Sequence, residues 1–195
     1  MVHARAALEI KELPYRVVAA SLPLAPDARE ALEALAGLPQ VPVLEHGALA
    51  LAESTAISEY LAETFPFPAH PRLFPPDLGQ RGVARQVMSF VRADLAALRA
   101  ERPSTLLRGA PASVAPLSTA AAGQAARLRA LATRLLPPGK PTIADAFCIA
   151  DVDLAIALLR LVRSGEPVPA HLVDYAEAHW AHPAVRAARA PAWPS

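Results

Sequence analysis

Between Phe65 and Asp77 the chain reads Phe-Pro-Phe-Pro-Ala-His-Pro-Arg-Leu-Phe-Pro-Pro-Asp, with five prolines in the stretch. Each proline fixes its own φ and removes a backbone N–H, so neither a helix nor an interior strand can run through this segment. The chain is therefore expected to fold as two bodies: a domain over residues 1–65, a linker over 66–77 and a second domain over 78–195. At 195 residues the whole is large enough to bury a sizeable core in two small domains.

Upstream of the linker helix and strand signals alternate. Ala6, Ala7, Leu8 and Ile10, set among charged residues, predict a helix over Val2 to Glu12, ended by Leu13-Pro14. Tyr15–Ala20 reads as a strand. Asp27, with Glu30 three positions on, predicts a capped helix running to about Ala36, where Gly37 and Pro39 stop it. Two short apolar strands around Gly47 follow, and then a helix from Ser54 to Thr64.

Downstream the pattern is helical. Val83, Val87, Phe90, Val91, Leu95 and Leu98 recur at spacings of three and four and predict one helix of about six turns. Residues 99–116, interrupted by Pro103, Gly109, Pro111 and Pro116, read as a loop or short turns. Ser118–Leu136 resumes a helix with Leu128, Leu131 and Leu135 on one face. Cys148–Val162 is apolar nearly all round, the mark of a helix buried inside a bundle. Its start is set by one of two boxes, Thr142-Ile143-Ala144-Asp145 or Cys148-Ile149-Ala150-Asp151. Two short helices, His171–Ala178 and Ala184–Ala190, complete an all-helical second domain.

Composition excludes several classes of function. The formal net charge is +1 with basic and acidic residues interspersed, which argues against a nucleic-acid partner. No run of about 18 uncharged apolar residues is present, so no membrane partner is expected. The first residues lack the build of a secretory signal, and a cytoplasmic location is expected. The single cysteine, Cys148, rules out an internal disulfide, a CxxC redox pair and a cysteine-rich zinc site. Cys148 reads as a buried structural thiol. His179 and His182 have a metal-compatible i, i+3 spacing, but no third ligand accompanies them and no metal is expected. Asp151 is assigned to capping and Asp153 to a buried hydrogen bond.

The chemistry concentrates in Gln40–Ile57. An unpaired strand edge beside Val41 can exchange main-chain hydrogen bonds with an extended ligand. The N–H groups opening the helix at Ser54, with the Ser54 hydroxyl, suit a carboxylate, and Glu53 suits an ammonium group. One zwitterionic amino-acid head group would satisfy both. Taken singly, Pro42 is an ordinary trans proline at a strand edge and Ser54 an N-cap.

Taken together, these residues resemble the glutathione-binding half of a glutathione S-transferase. The resemblance implies an α/β thioredoxin-like N-terminal domain followed by an all-α C-terminal domain. It also implies a cis Pro42, a Val41 backbone that pairs with the cysteinyl part of glutathione, and a Glu53-Ser54 pair that holds its γ-glutamyl end. Gln40 joins them more loosely. The family's first strand, with the loop carrying the residue that activates the thiol, has no counterpart here, so the catalytic residue is unknown from the sequence. An unpaired central strand would leave buried backbone groups unsatisfied at about 1–3 kcal/mol each. The expectation is therefore a start displaced downstream, with a differently closed sheet as the alternative. By the same resemblance Arg92, Asp94 and Arg99 are candidates for the second-substrate pocket, with a solvated helix face as the competing reading, and a homodimer is expected. Stretches such as Arg92-Ala93-Asp94-Leu95 and Arg99-Ala100-Glu101-Arg102-Pro103-Ser104-Thr105 look like the bacterial YfcF-type branch. The implied function is glutathione transfer to small electrophiles, with peroxide or disulfide reduction as variants. A binding or scaffold module without turnover is the competing reading.

Overall fold

A computed structural model describes residues 2–109 and 115–190. In chain order the elements are α1 (Val2–Ile10), α2 (Pro26–Ala36), β1 (Val43–His46), β2 (Leu49–Ala52), α3 (Ser54–Thr64), α4 (Leu78–Ala93), α5 (Ala96–Glu101), a 3-10 turn (Ser104–Arg108), α6 (Thr119–Leu135), α7 (Ile149–Arg163), α8 (Ala170–Trp180) and α9 (Pro183–Arg189). They form two compact units. One runs to Leu73 and takes in residues 183–190; the other is Phe74–His182. The sequence reading placed all of 78–195 in one domain, whereas α9 groups with the first unit because it packs on α1.

In the first unit α1 carries small buried residues, Ala4, Ala6 and Ala7, which let α3 and α9 approach closely. The Arg5 guanidinium donates to the carbonyls of Ala190 (2.7 Å) and Ala187 (3.2 Å), placing a cation at the negative end of the α9 dipole. His3 Nε2 lies 3.1 Å from the buried Ser58 hydroxyl, which itself donates to Thr55 O at 2.9 Å. That hydroxyl has only one proton, so His3 supplies the donor between them. Lys11, 1% exposed, donates to Phe65 O at 2.6 Å and closes the C-terminal end of α3. Burial, with Arg72 adding to it, lowers the Lys11 pKa.

β1 and β2 form an antiparallel hairpin in the register Val43↔Ala52 to His46↔Leu49. Its two-residue turn puts Gly47 at φ +60°, where a side chain would be strained. The expected strand at Tyr15–Ala20 is absent. A strand exists only through its ladder, and among the described residues β1 pairs with β2 alone. The segment stays irregular, with Val18 71% exposed. The cap of α2 also differs from expectation. Ala25 is the N-cap and Pro26, with its preset φ, opens the helix, so Asp27 falls inside the first turn without a capping bond.

The second unit is all-helical. Asp77 caps α4 by accepting from Gln80 N–H at 2.8 Å. The six-turn helix expected from the apolar stripe is two helices, interrupted at Asp94-Leu95. Leu95 and Leu98 are both fully buried beyond the break, and Gln124 Oε1 accepts the Leu98 N–H near the start of α5 at 2.9 Å. Over residues 99–116, read as a loop or short turns, the chain finishes α5 at Glu101 and makes the 3-10 turn; residues 110–114 lie outside the described residues. On α6 the buried face is Ala121, Ala125, Leu128 and Ala132, with Leu131 and Leu135 at its margin.

The buried helix of this unit is α7, which starts at Ile149 with Cys148 as N-cap and so takes the later of the two boxes. Asp151 Oδ2 accepts from Cys148 N–H at 2.9 Å. Its Oδ1 accepts from Ile143 N–H at 2.9 Å and from the Tyr175 hydroxyl at 2.8 Å. One fully buried carboxylate thereby joins the loop before α7 to α8.

Candidate functional site

In the first unit the hairpin and the start of α3 bring together the residues singled out in the sequence. The Val41–Pro42 bond is cis, the form implied by the resemblance. Neither the N–H nor the C=O of Val41 has a backbone partner among the described residues, so both remain available on this edge. Glu53 sits at φ +69°, ψ 115°, a conformation rarely adopted by a residue with a side chain. Its carboxylate accepts a hydrogen bond from the Gln40 side-chain amide, which joins the two ends of the hairpin. Glu53 is the N-cap of α3 by position, but its side chain makes no capping bond, and Ser54 is the first helical residue. The sequence reading made Ser54 the cap; the structure moves the cap back one residue.

The first-turn N–H groups of α3 therefore meet no carboxylate or hydroxyl from the N-cap side chain. A helix start of this kind carries partial positive charge and suits a carboxylate. Gln40, Val41, Pro42, Glu53 and Ser54 thus occupy one exposed to half-buried edge of the unit. That edge presents a main-chain donor and acceptor, a carboxylate and a helix N-terminus.

The three candidates for a second-substrate pocket all lie in the second unit and have separate surroundings. Arg92 is turned to Asp153, with Nη1–Oδ2 at 2.5 Å, and it also donates to Met88 O at 3.0 Å. Asp153 is 6% exposed, so this pair fulfils the buried hydrogen bond expected of it. Asp94 is the exposed C-cap of α4, and Arg99 is exposed on α5. These two make no hydrogen bond or ion pair with each other among the described residues.

The remaining sequence candidates take structural places. Cys148 is 2% exposed, and burial first, then the charge of Asp151, pushes its thiol pKa up to about 12. A thiol held neutral is not a nucleophile at pH 7. His182 stacks on Phe147 with ring centroids 3.9 Å apart, and His179 Nε2 lies 2.9 Å from Pro141 O. Among the described residues no group of three or more His, Cys, Asp or Glu is placed to hold a metal ion. No described helix is long and apolar enough to cross a membrane. The sequence missed Tyr175, which supplies the third hydrogen bond to Asp151. A tyrosine 24 residues downstream carries no local signal for that contact.

Comparison with known proteins identifies the family of both domains. Residues 2–71 match the N-terminal domain and residues 77–191 the C-terminal domain of glutathione S-transferase. A glutathione transferase homologue from Burkholderia, solved with bound glutathione, is 30% identical; the alignment covers 96% of this chain and 88% of that one, with a TM-score of 0.78. A maleylacetoacetate isomerase from Anaeromyxobacter dehalogenans is 28% identical over all of this chain and 91% of the other, with a TM-score of 0.67. A maleylpyruvate isomerase from Ralstonia is 35% identical over 104 residues, 53% of this chain, and the match spans about half of that relative's length, 48%. With both domains of the family matched along most of its length, the chain belongs to the glutathione S-transferase family.

Proposed function

We propose that this chain binds glutathione along the Gln40–Ser54 edge and uses its thiolate against a small electrophile. The observation that carries the reading is the meeting of Gln40 and Glu53 beside the cis Val41–Pro42 bond and the start of α3, where the Glu53 side chain makes no capping bond. The backbone of Val41 pairs with the cysteinyl unit. Glu53 holds the ammonium of the γ-glutamyl end, and the α3 N-terminus with the Ser54 hydroxyl holds its carboxylate. A free thiol ionises near pH 8.5, so only a few per cent is thiolate at pH 7; the enzyme's work is to raise that fraction and to place sulfur against carbon.

Transfer and isomerisation share the first step, in which the thiolate attacks an electrophilic carbon. They part at the second. In transfer the leaving group departs and the thioether is released; in isomerisation the C–S bond breaks again after rotation about the former double bond. The isomerase reading is favoured by the Ralstonia and Anaeromyxobacter relatives, and the transferase reading by the family as a whole. In either case the protein acts in the cytoplasm as a homodimer.

Turnover of an aryl halide, a hydroperoxide and maleylpyruvate, each with and without glutathione, tests the proposal. Glutathione-dependent consumption of any one supports it, and consumption of maleylpyruvate alone selects isomerisation. Glutathione binding with no turnover of any substrate would point to a binding module, and absence of binding would overturn the reading altogether.

A further inference from the structure

The C-terminal end of α5 gathers arginines and acids of the second unit whose charges do not cancel in pairs. Arg102, the C-cap of α5 and 4% exposed, gives Nη2 to Glu166 Oε1 at 2.7 Å. Glu101, the last residue of α5, is taken up by Ser118, whose N–H (2.9 Å) and hydroxyl (2.5 Å) both donate to its carboxylate. Arg99, in the last turn of α5, and Arg160 of α7 are left over. Among the described residues neither makes an ion pair.

Arg160 is half-buried, and its Nη1 donates to the carbonyl of Arg102 at 2.5 Å. That bond fixes the guanidinium against a carbonyl three residues beyond Arg99. The two charges act on each other: burial first, then Arg99, lowers the Arg160 pKa, and no carboxylate offsets them. One cation at this place complements the end of the helix dipole, but a second beside it adds repulsion. A charge taken out of water without a counter-charge is costly. The Nε–Nη2 edge of Arg160, the fork that grips a carboxylate through two parallel bonds, has no partner among the described residues.

We propose that Arg160 and Arg99 together bind the carboxylate of a small organic acid, with Arg160 gripping both oxygens and the exposed Arg99 supplying the second positive charge. The planar two-oxygen group matches the free guanidinium edge. A monoanion also sheds less hydration than a phosphate dianion on entering a half-buried site, which favours carboxylate over phosphate as the occupant.

Calorimetric titration of the full chain at low salt with 4-nitrobenzoate tests this, with 4-nitrobenzamide as its uncharged match. The expected result is saturable binding of the acid and none of the amide. Binding should weaken at least fivefold in R99A and at least tenfold in R160K, which keeps the charge but loses the fork, and stay unchanged in R29A, an exposed arginine of the first unit. Arg99 is a surface side chain, so R99A tests the site even if R160K fails to fold. The proposal is overturned if the acid does not bind, if the amide binds as tightly, if R99A or a folded R160K binds as the parent does, if R29A loses as much as R99A, or if inorganic phosphate displaces the acid at an equal or lower concentration.

Discussion

The Gln40 amide and the Glu53 carboxylate are hydrogen-bonded across the β1–β2 hairpin, and Glu53 makes that contact from a backbone φ of +69°. A non-glycine residue in so sparsely populated a region costs about 1–3 kcal/mol and persists only where its surroundings enforce it. Glu53→Gly should therefore raise stability by about 1 kcal/mol while weakening glutathione binding. Urea unfolding and a binding titration on the same protein check both halves. A variant that is less stable than the parent would show that the side-chain contact outweighs the strain.

Asp151 is fully buried and accepts three hydrogen bonds. Asp151→Ala orphans the Ile143 and Cys148 N–H groups together and should cost about 3–5 kcal/mol, whereas Tyr175→Phe should cost about 1–3 kcal/mol. Unfolding in urea separates the two, and equal losses would contradict the division of roles.

Cys148 should resist a thiol reagent at pH 8 in the folded state and react on unfolding, because its pKa stands at about 12. The same shift sets a pH dependence. The folded thiol stays neutral while the unfolded one ionises from about pH 9, so stability contributed below pH 9 is lost progressively between about pH 9 and 12. Tyr175, raised well above 10 by burial and then by Asp151, acts in the same direction. Stability curves of the parent and of Cys148→Ala should diverge in slope only in that alkaline range; parallel curves would contradict the assignment.

Arg92 faces Asp153. Removing the cation leaves a largely buried carboxylate poorly compensated, so Arg92→Ala should cost about 3–5 kcal/mol of stability. If the role is structural, the KM for the second substrate should stay unchanged in the variant at a temperature where it is still folded. A raised KM with unchanged stability would return Arg92 to the pocket.

Much of this was legible in the residues because it is local. The range Ser54–Thr64 for α3, the hairpin around Gly47 and the helix from Ser118 follow from periodicity, turn residues and caps, all of which act over a few positions. What failed was non-local. Tyr15–Ala20 has the composition of a strand, but pairing decides strands and that partner is not in reach of a local pattern. The break at Asp94 hides inside an unbroken apolar stripe, since a stripe reports which residues are buried and not whether one straight helix buries them. At the candidate site the residue types pointed to a zwitterionic ligand, but only the fold could show the Gln40 amide on the Glu53 carboxylate, or Arg92 committed to Asp153.

The most direct test is a calorimetric titration of glutathione into the parent chain and into Glu53→Ala. A charge-assisted hydrogen bond to the γ-glutamyl ammonium predicts a loss of about 1.5–3 kcal/mol, roughly tenfold to 150-fold in affinity. An affinity unchanged by the substitution would contradict the placement of glutathione on this edge.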